Sequence, residues 1–126
     1  MVDVSARTVL IVDDEELIRL MLVDEFRDAG FDVADADSAD AAFKILTQPQ
    51  DAFDLLITDV RMPGATDGLA LASWTRECLP QTKIIIMSGY VSPVGVEAAN
   101  AYDAFLRKPL TPAGLMAVAE ELLMGA

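Results

Sequence analysis

Five short apolar runs, each followed by a stretch with helical patterning, constrain this 126-residue chain more than any other feature. The runs are Thr8–Val12, Phe31 to Ala36, Leu55 to Ile57, Lys83 to Met87 and Ala104 to Arg107. After the first, Leu17, Ile18, Met21, Leu22, Phe26 and Ala29 recur at helical spacing, and Gly30 stands where a helix C-terminal glycine belongs. Ser38 is a natural N-cap for a helix through Leu46. A third helix is expected from about Leu69 to Leu79, stopping before Pro80. Ser92-Pro93 starts a fourth that is weak by propensity, with Gly95 inside it and Asn100 near its end. Thr111-Pro112 starts the fifth, whose Leu115, Val118, Ala119, Leu122 and Leu123 mark one face.

Strand followed by helix, five times over, implies an α/β fold: a doubly wound, five-stranded parallel sheet with helices on both faces. Right-handed crossovers leave few ways to wind it. The second run alternates apolar and acidic residues, as an edge strand does, whereas the others are nearly continuous. The flavodoxin-like (βα)5 order 2-1-3-4-5 satisfies both patterns. With 53% apolar residues and no linker or repeat, residues 1–126 are expected to form a single domain.

Composition removes several functions. The chain has no His and one Cys, Cys78. It therefore cannot by itself run Ser-His-Asp or Cys-His catalysis, nor build a His-ligated metal site or a disulfide. A net charge of -12 argues against a charge-driven grip on nucleic acid or anionic lipid. The start lacks a signal peptide, and the longest aliphatic runs, Val9–Val12 and Ile84–Met87, fall far short of the ~20 residues that span a bilayer. A cytoplasmic location without nucleic-acid or membrane partners is the expectation.

In such a fold ligands bind beyond the carboxyl ends of the strands, near the switch point. Strand 1 runs into Asp13-Asp14, strand 3 into Asp59, strand 4 into Ser88, and strand 5 into Lys108-Pro109. Three carboxylates, a hydroxyl and an ammonium thus converge on one rim. Two carboxylates about 4 Å apart could repel by up to roughly 4 kcal/mol at an effective dielectric of about 20. A hard divalent cation would offset this, as would raised pKa values or the charge of Lys108. The chemistry suggested is phosphoryl transfer, with Asp59 as the carboxylate nucleophile. The plainer alternative for Asp13-Asp14 is a solvated loop that caps a helix.

These segments resemble the receiver domains of two-component response regulators. Val9-Leu-Ile-Val-Asp-Asp-Glu15 is similar to the family's first strand and acidic pair. Leu56-Ile-Thr-Asp59-Val-Arg-Met-Pro63 is similar to its phosphoacceptor strand and following loop. Ile85-Ile-Met-Ser88-Gly89 and Ala104-Phe105-Leu-Arg-Lys108-Pro109-Leu110 resemble its switch-hydroxyl strand and its aromatic–Lys–Pro segment. The resemblance implies that Asp59 accepts a phosphoryl group from a phosphohistidine on a histidine kinase or histidine phosphotransfer protein. It implies Mg2+, replaceable by Mn2+, held by Asp14, Asp59 and the Arg61 backbone carbonyl, and by Asp13 through water. It implies that Ser88 and Lys108 bind the phosphoryl group, that Ser88 and Phe105 form a switch, and that Pro109 follows a cis peptide bond. An output partner would then bind the face made by the fourth helix, fifth strand and fifth helix, including Val94, Val96, Tyr102 and Phe105. Ser88 stands where the family more often has Thr, and Phe105 where it often has Tyr. Tyr90 lies two residues beyond Ser88, a position that tends to affect access of water to the phosphate.

The domain would be a phosphoacceptor rather than an enzyme, beyond any self-catalysed phosphoryl transfer and autodephosphorylation. The alternative is a receiver-fold interaction module that works without phosphorylation; its usual sign, loss of the acidic pair, Asp59 or Lys108, is missing here. A dehalogenase-type phosphatase would need an acid two residues after Asp59, where Arg61 stands. The cognate kinase, the output partner, and whether the chain is a stand-alone receiver or part of a hybrid kinase stay open at this level.

Overall fold

The computed structural model describes residues 7–48, 53–60, 67–89 and 101–124. Five strands, β1 (Thr8–Val12), β2 (Asp32–Ala36), β3 (Leu55–Asp59), β4 (Lys83–Ser88) and β5 (Ala104–Arg107), form one sheet in the order β2-β1-β3-β4-β5. Every pairing is parallel. Among the described residues the helices are α1 (Glu16–Asp28), α2 (Ala39–Leu46), α3 (Gly68–Cys78) and α4 (Pro112–Met124), the last being the fifth helix of the sequence pattern. The helix expected from Ser92 falls, except for Ala101, outside the described residues.

Alternation along the strands divides the core into two layers. Leu10, Val12, Leu56, Ile84 and Ile86 face α2 and α3, meeting Ala39, Ala42, Leu46, Leu71 and Ala72. Val9, Ile11, Leu55, Ile57, Ile85 and Met87 face α1 and α4, meeting Leu22, Val23, Phe26, Leu115, Met116 and Ala119. Strands β1, β3 and β4 are therefore covered on both sides, which is why their sequences read as unbroken apolar runs. Edge strand β2 buries only Ala36 outright. Truncating a fully buried isoleucine such as Ile57 to alanine would cost about 2–5 kcal/mol.

Helix ends follow their sequence signals. The Ser38 Oγ accepts the Ala41 N–H at 3.1 Å, and Asp67 Oδ1 accepts the Ala70 N–H at 2.8 Å. Past α1, Gly30 adopts φ +96°, a conformation that costs a Cβ-bearing residue far more.

The face of α1 differs from the expectation. Leu17 is 77% exposed and Met21 55%, whereas the core-facing residues are Leu22, Val23 and Phe26. The helix carries two apolar stripes. The sheet takes the one through Leu22 and Phe26, and Leu17, Leu20 and Met21 are left on the outside. Apolar spacing alone cannot choose between stripes.

Candidate functional site

Parallel pairing sets the strand ends side by side. Val12 is in register with Thr58, Asp59 with Met87, and Ser88 with Arg107. The residues just past these pairs, Asp13 and Lys108, thus reach the same rim as Asp59 and Ser88. Asp13 is fully buried, Asp59 and Ser88 nearly or fully so, and Asp14 exposed.

Lys108 occupies the centre. Its backbone N–H donates to the Ser88 carbonyl at 2.7 Å, and the Lys108–Pro109 peptide is cis. Its Nζ donates to Asp59 Oδ2 at 2.7 Å, to Asp13 Oδ2 at 3.0 Å and to Glu15 Oε1 at 3.3 Å. The remaining oxygens of the buried pair are engaged by backbone: Asp59 Oδ1 accepts the Val60 N–H at 2.7 Å, and Asp13 Oδ1 accepts the Glu15 N–H at 2.9 Å. Oxygens of Asp13, Asp14 and Asp59 lie within 4.8 Å of one another.

The charge balance of this cluster is unequal. Among the described residues one ammonium serves Asp13, Glu15 and Asp59, with Asp14 alongside. Burial raises the Asp59 pKa above the ordinary 3.8; Lys108 works against the rise and the nearby Asp13 charge adds to it. Burial also opposes the charge of Lys108, but its hydrogen bonds to Asp59 and Asp13 and their negative charges outweigh this. The ammonium is held above the ordinary lysine value. An oxygen-only donor set with surplus negative charge fits a hard divalent cation such as Mg2+.

The backbone beneath Asp59 is tightly enclosed. The Gly68 N–H donates to the Val60 carbonyl at 2.8 Å, and a Cβ on Gly68 would fall 1.7 Å from the Asp59 carbonyl oxygen. Only glycine admits this approach. Thr58 Oγ1 donates to that same carbonyl oxygen at 2.9 Å. Phe105, three residues before Lys108 on β5, is half-buried with its ring 5.7 Å from that of Tyr102. Arg61, Tyr90, Val94 and Val96 lie outside the described residues.

Three contributors escaped the sequence reading. Glu15, next to the acidic pair, joins the Lys108 cluster. Gly68, at the start of α3, lies against the Asp59 backbone. Arg19, a charged residue on α1, has a side chain that is only 13% exposed. It occupies the position three residues before Leu22 and seven before Phe26, on the core-facing stripe. Beside Lys108, a cavity of about 320 Å³ opens between α1 and the segment after β5, lined by Glu15, Ile18, Met21, Pro109 and Leu110 among others.

Comparison with known proteins agrees with this geometry. The family model for the response regulator receiver domain matches residues 9–120. The chain is 32% identical over 121 residues to the sensor kinase CckA of Brucella abortus, covering 94% of this chain and 13% of CckA. It is 30% identical over 122 residues to the response regulator receiver protein CpdR of the same organism, covering 95% of this chain and 99% of CpdR. The chain spans 13–24% of the length of CckA and two other curated relatives, FleR and NtrC. Among solved structures, the response regulator TrrA from Thermotoga maritima, in complex with Mg2+-BeF, superposes with a TM-score of 0.80 at 28% identity, covering 92% of this chain and 98% of TrrA. No helix among the described residues is long and apolar enough to cross a membrane.

Proposed function

This chain belongs to the response regulator receiver domain family, and on that premise we propose that it is a phosphorylation-activated switch whose acceptor is Asp59. The donor is a phosphohistidine on a histidine kinase or histidine phosphotransfer protein. An Asp59 carboxylate oxygen attacks phosphorus, the P–N bond breaks, and its electron pair stays with the imidazole nitrogen, which takes up a proton. The absence of His from this chain means that the donor is a different domain or a different chain.

One observation carries the reading: a single ammonium bonded to Asp59 and Asp13 inside a three-aspartate cluster. A loose, anionic transferring group needs positive charge fixed in advance and little else. Asp13, Asp14 and Asp59 would hold Mg2+, which when bound supplies positive charge to the oxygens of the transferring group; the Arg61 carbonyl is the proposed further ligand. Lys108 is anchored through its backbone to the end of β4, which holds its ammonium at the Asp59 carboxylate where a phosphoryl oxygen would arrive. Ser88 would donate its hydroxyl to that group and shift the segment before β5, Phe105 and α4 toward a partner-binding state. The exposed stripe of Leu17, Leu20 and Met21 beside the site gives a donor protein apolar surface to rest on.

Incubation with Mg2+ and a small phosphodonor should add the mass of one phosphoryl group, and the D59N variant should add none. Equal labelling of D59N, or no labelling of the wild type, would overturn the assignment.

A further inference from the structure

Arg19 connects three elements at the edge of the acidic cluster. Its Nε donates to Asp35 Oδ2 on β2 at 2.8 Å, and its Nη1 donates to the Asp13 backbone carbonyl at 2.8 Å. That carbonyl belongs to the peptide joining Asp13 to Asp14. The Asp13 N–H meanwhile donates to the Ala36 carbonyl at 3.1 Å, and both carboxylate oxygens of Asp13 are occupied by the Glu15 N–H and Lys108. Every polar group of Asp13 is thus fixed, and the guanidinium fixes the one that sets the plane of the next peptide. Asp14 is exposed, so the peptide from which it projects decides where its carboxylate stands.

We propose that Arg19 is a positioning residue for the cation site: oriented by Asp35, it locks the Asp13–Asp14 peptide so that both carboxylates face Asp59. The inference rests on the Mg2+ reading above and deepens it. The planar fork is essential to the role, because two acceptors on different elements must be met at once from fixed directions. A lysine in its place would carry the same charge but only a point donor. The position on the core-facing stripe of α1 explains why an arginine is tolerated there: its head is satisfied by Asp35 and a carbonyl rather than left unpaired. An ordinary surface ion pair would be worth little and would have no reason to touch the Asp13 carbonyl.

The test is calorimetric titration of Mg2+ alone into R19A, R19K, D35N and the wild type, with melting temperatures measured alongside. V23A, a core truncation on the same helix away from the site, serves as the stability control. Partners that orient metal ligands typically change affinity by about 10–100-fold. R19A should therefore bind Mg2+ at least roughly tenfold more weakly, R19K should fail to restore wild-type affinity, and D35N should show a smaller loss of about 3–10-fold. V23A should lose stability but keep its Mg2+ affinity. Affinity of R19A or R19K within twofold of the wild type, or an equal loss in V23A, would overturn the positioning role. If R19A does not fold, D35N decides the question by the same criterion. A wild type that takes up no Mg2+ would overturn the underlying cation reading, an outcome distinct from a wild type that binds and an R19A that binds equally.

Discussion

Asparagine at position 59 should make the cation-free protein more stable, a result opposite to that for most changes at a buried polar residue. Ionised Asp59 lies with its oxygens within 4.8 Å of those of Asp13 and Asp14. At an effective dielectric of about 20, two unit charges at that separation repel by about 3.5 kcal/mol, less for exposed Asp14. Burial of the carboxylate adds a desolvation cost of several kcal/mol. Against these stand the Lys108 contact at 2.7 Å, whose hydrogen bond an Asn oxygen can still accept while Lys108 keeps Asp13 and Glu15 as ionic partners, and the Val60 N–H bond to the other Asp59 oxygen, which the Asn amide group gives up. The raised pKa of Asp59 gives the same sign. Between the ordinary 3.8 and the raised value the folded state holds a proton that the unfolded state has lost, so cation-free stability falls as pH rises through that window. Above the window the loss is complete. D59N removes this component, so its advantage over the wild type should be full near pH 7 and shrink on acidification. We expect a gain of about 0.5–2 kcal/mol in EDTA, or about 2–8 °C in Tm for a chain of this length. Saturating Mg2+ should reverse the order, since a ligand at a hundred times its Kd adds about 2.7 kcal/mol to the wild type and less to a site short of one carboxylate. Thermal unfolding by circular dichroism, with EDTA and with Mg2+, measures all of this. An equal or lower Tm for D59N in EDTA at pH 7 would refute the charge-crowding argument.

Lys108→Ala should act in the opposite direction, losing about 2–4 kcal/mol without Mg2+ because three carboxylates lose their shared cation; denaturant titration should show Mg2+ restoring part of it. The D59N background should shrink the K108A loss, a coupling that a double-mutant cycle reads directly. Gly68→Ala should push the Asp59 backbone aside and cost about 2 kcal/mol or more, with phosphoryl uptake falling further than stability alone explains. Ser88→Ala should still take up a phosphoryl group on Asp59, while the amide shifts of β5 and α4 that follow uptake in the wild type should largely vanish; full-size shifts would remove Ser88 from the switch.

What was legible in the sequence depended on whether one residue type has one physical outcome. Val9–Val12, Leu55 to Ile57 and Ile84–Met87 are unbroken and aliphatic, and a strand covered on both faces is the arrangement that buries such runs. Once those strands are parallel, the residues after them share a rim, so Asp13, Asp59, Ser88 and Lys108 could be brought together before any coordinates. Side chains with two plausible outcomes were not legible. Leu17 and Met21 match helical spacing as well as Leu22 and Phe26 do, and only the direction of the sheet separates them. Arg19 and Glu15 look like solvated charges because a lone charge on or just before a helix usually is one; their partners, the Asp13 carbonyl and Lys108, come from elements that only tertiary structure brings near. Gly68 carries no mark of the 1.7 Å approach it permits, since backbone proximity leaves no trace in residue type.

The Glu15 contact, added to the two aspartates, has a consequence for how the site works. Lys108 serves three acceptors at rest, and a phosphoryl group on Asp59 would compete for the same ammonium. Any bond that Lys108 gives to that group must come at the expense of Asp13, Glu15 or the unmodified Asp59 oxygen. Loss of the Asp13 or Glu15 bond would leave negative charge beside α1, and a shift of Lys108 would pull on β4 through its backbone bond to the Ser88 carbonyl. Cation uptake would relieve the first effect and so favour the second. On the proposed function, charge neutralisation and conformational change would be coupled through Lys108, and a variant with its cation affinity intact but Lys108 shortened should separate them.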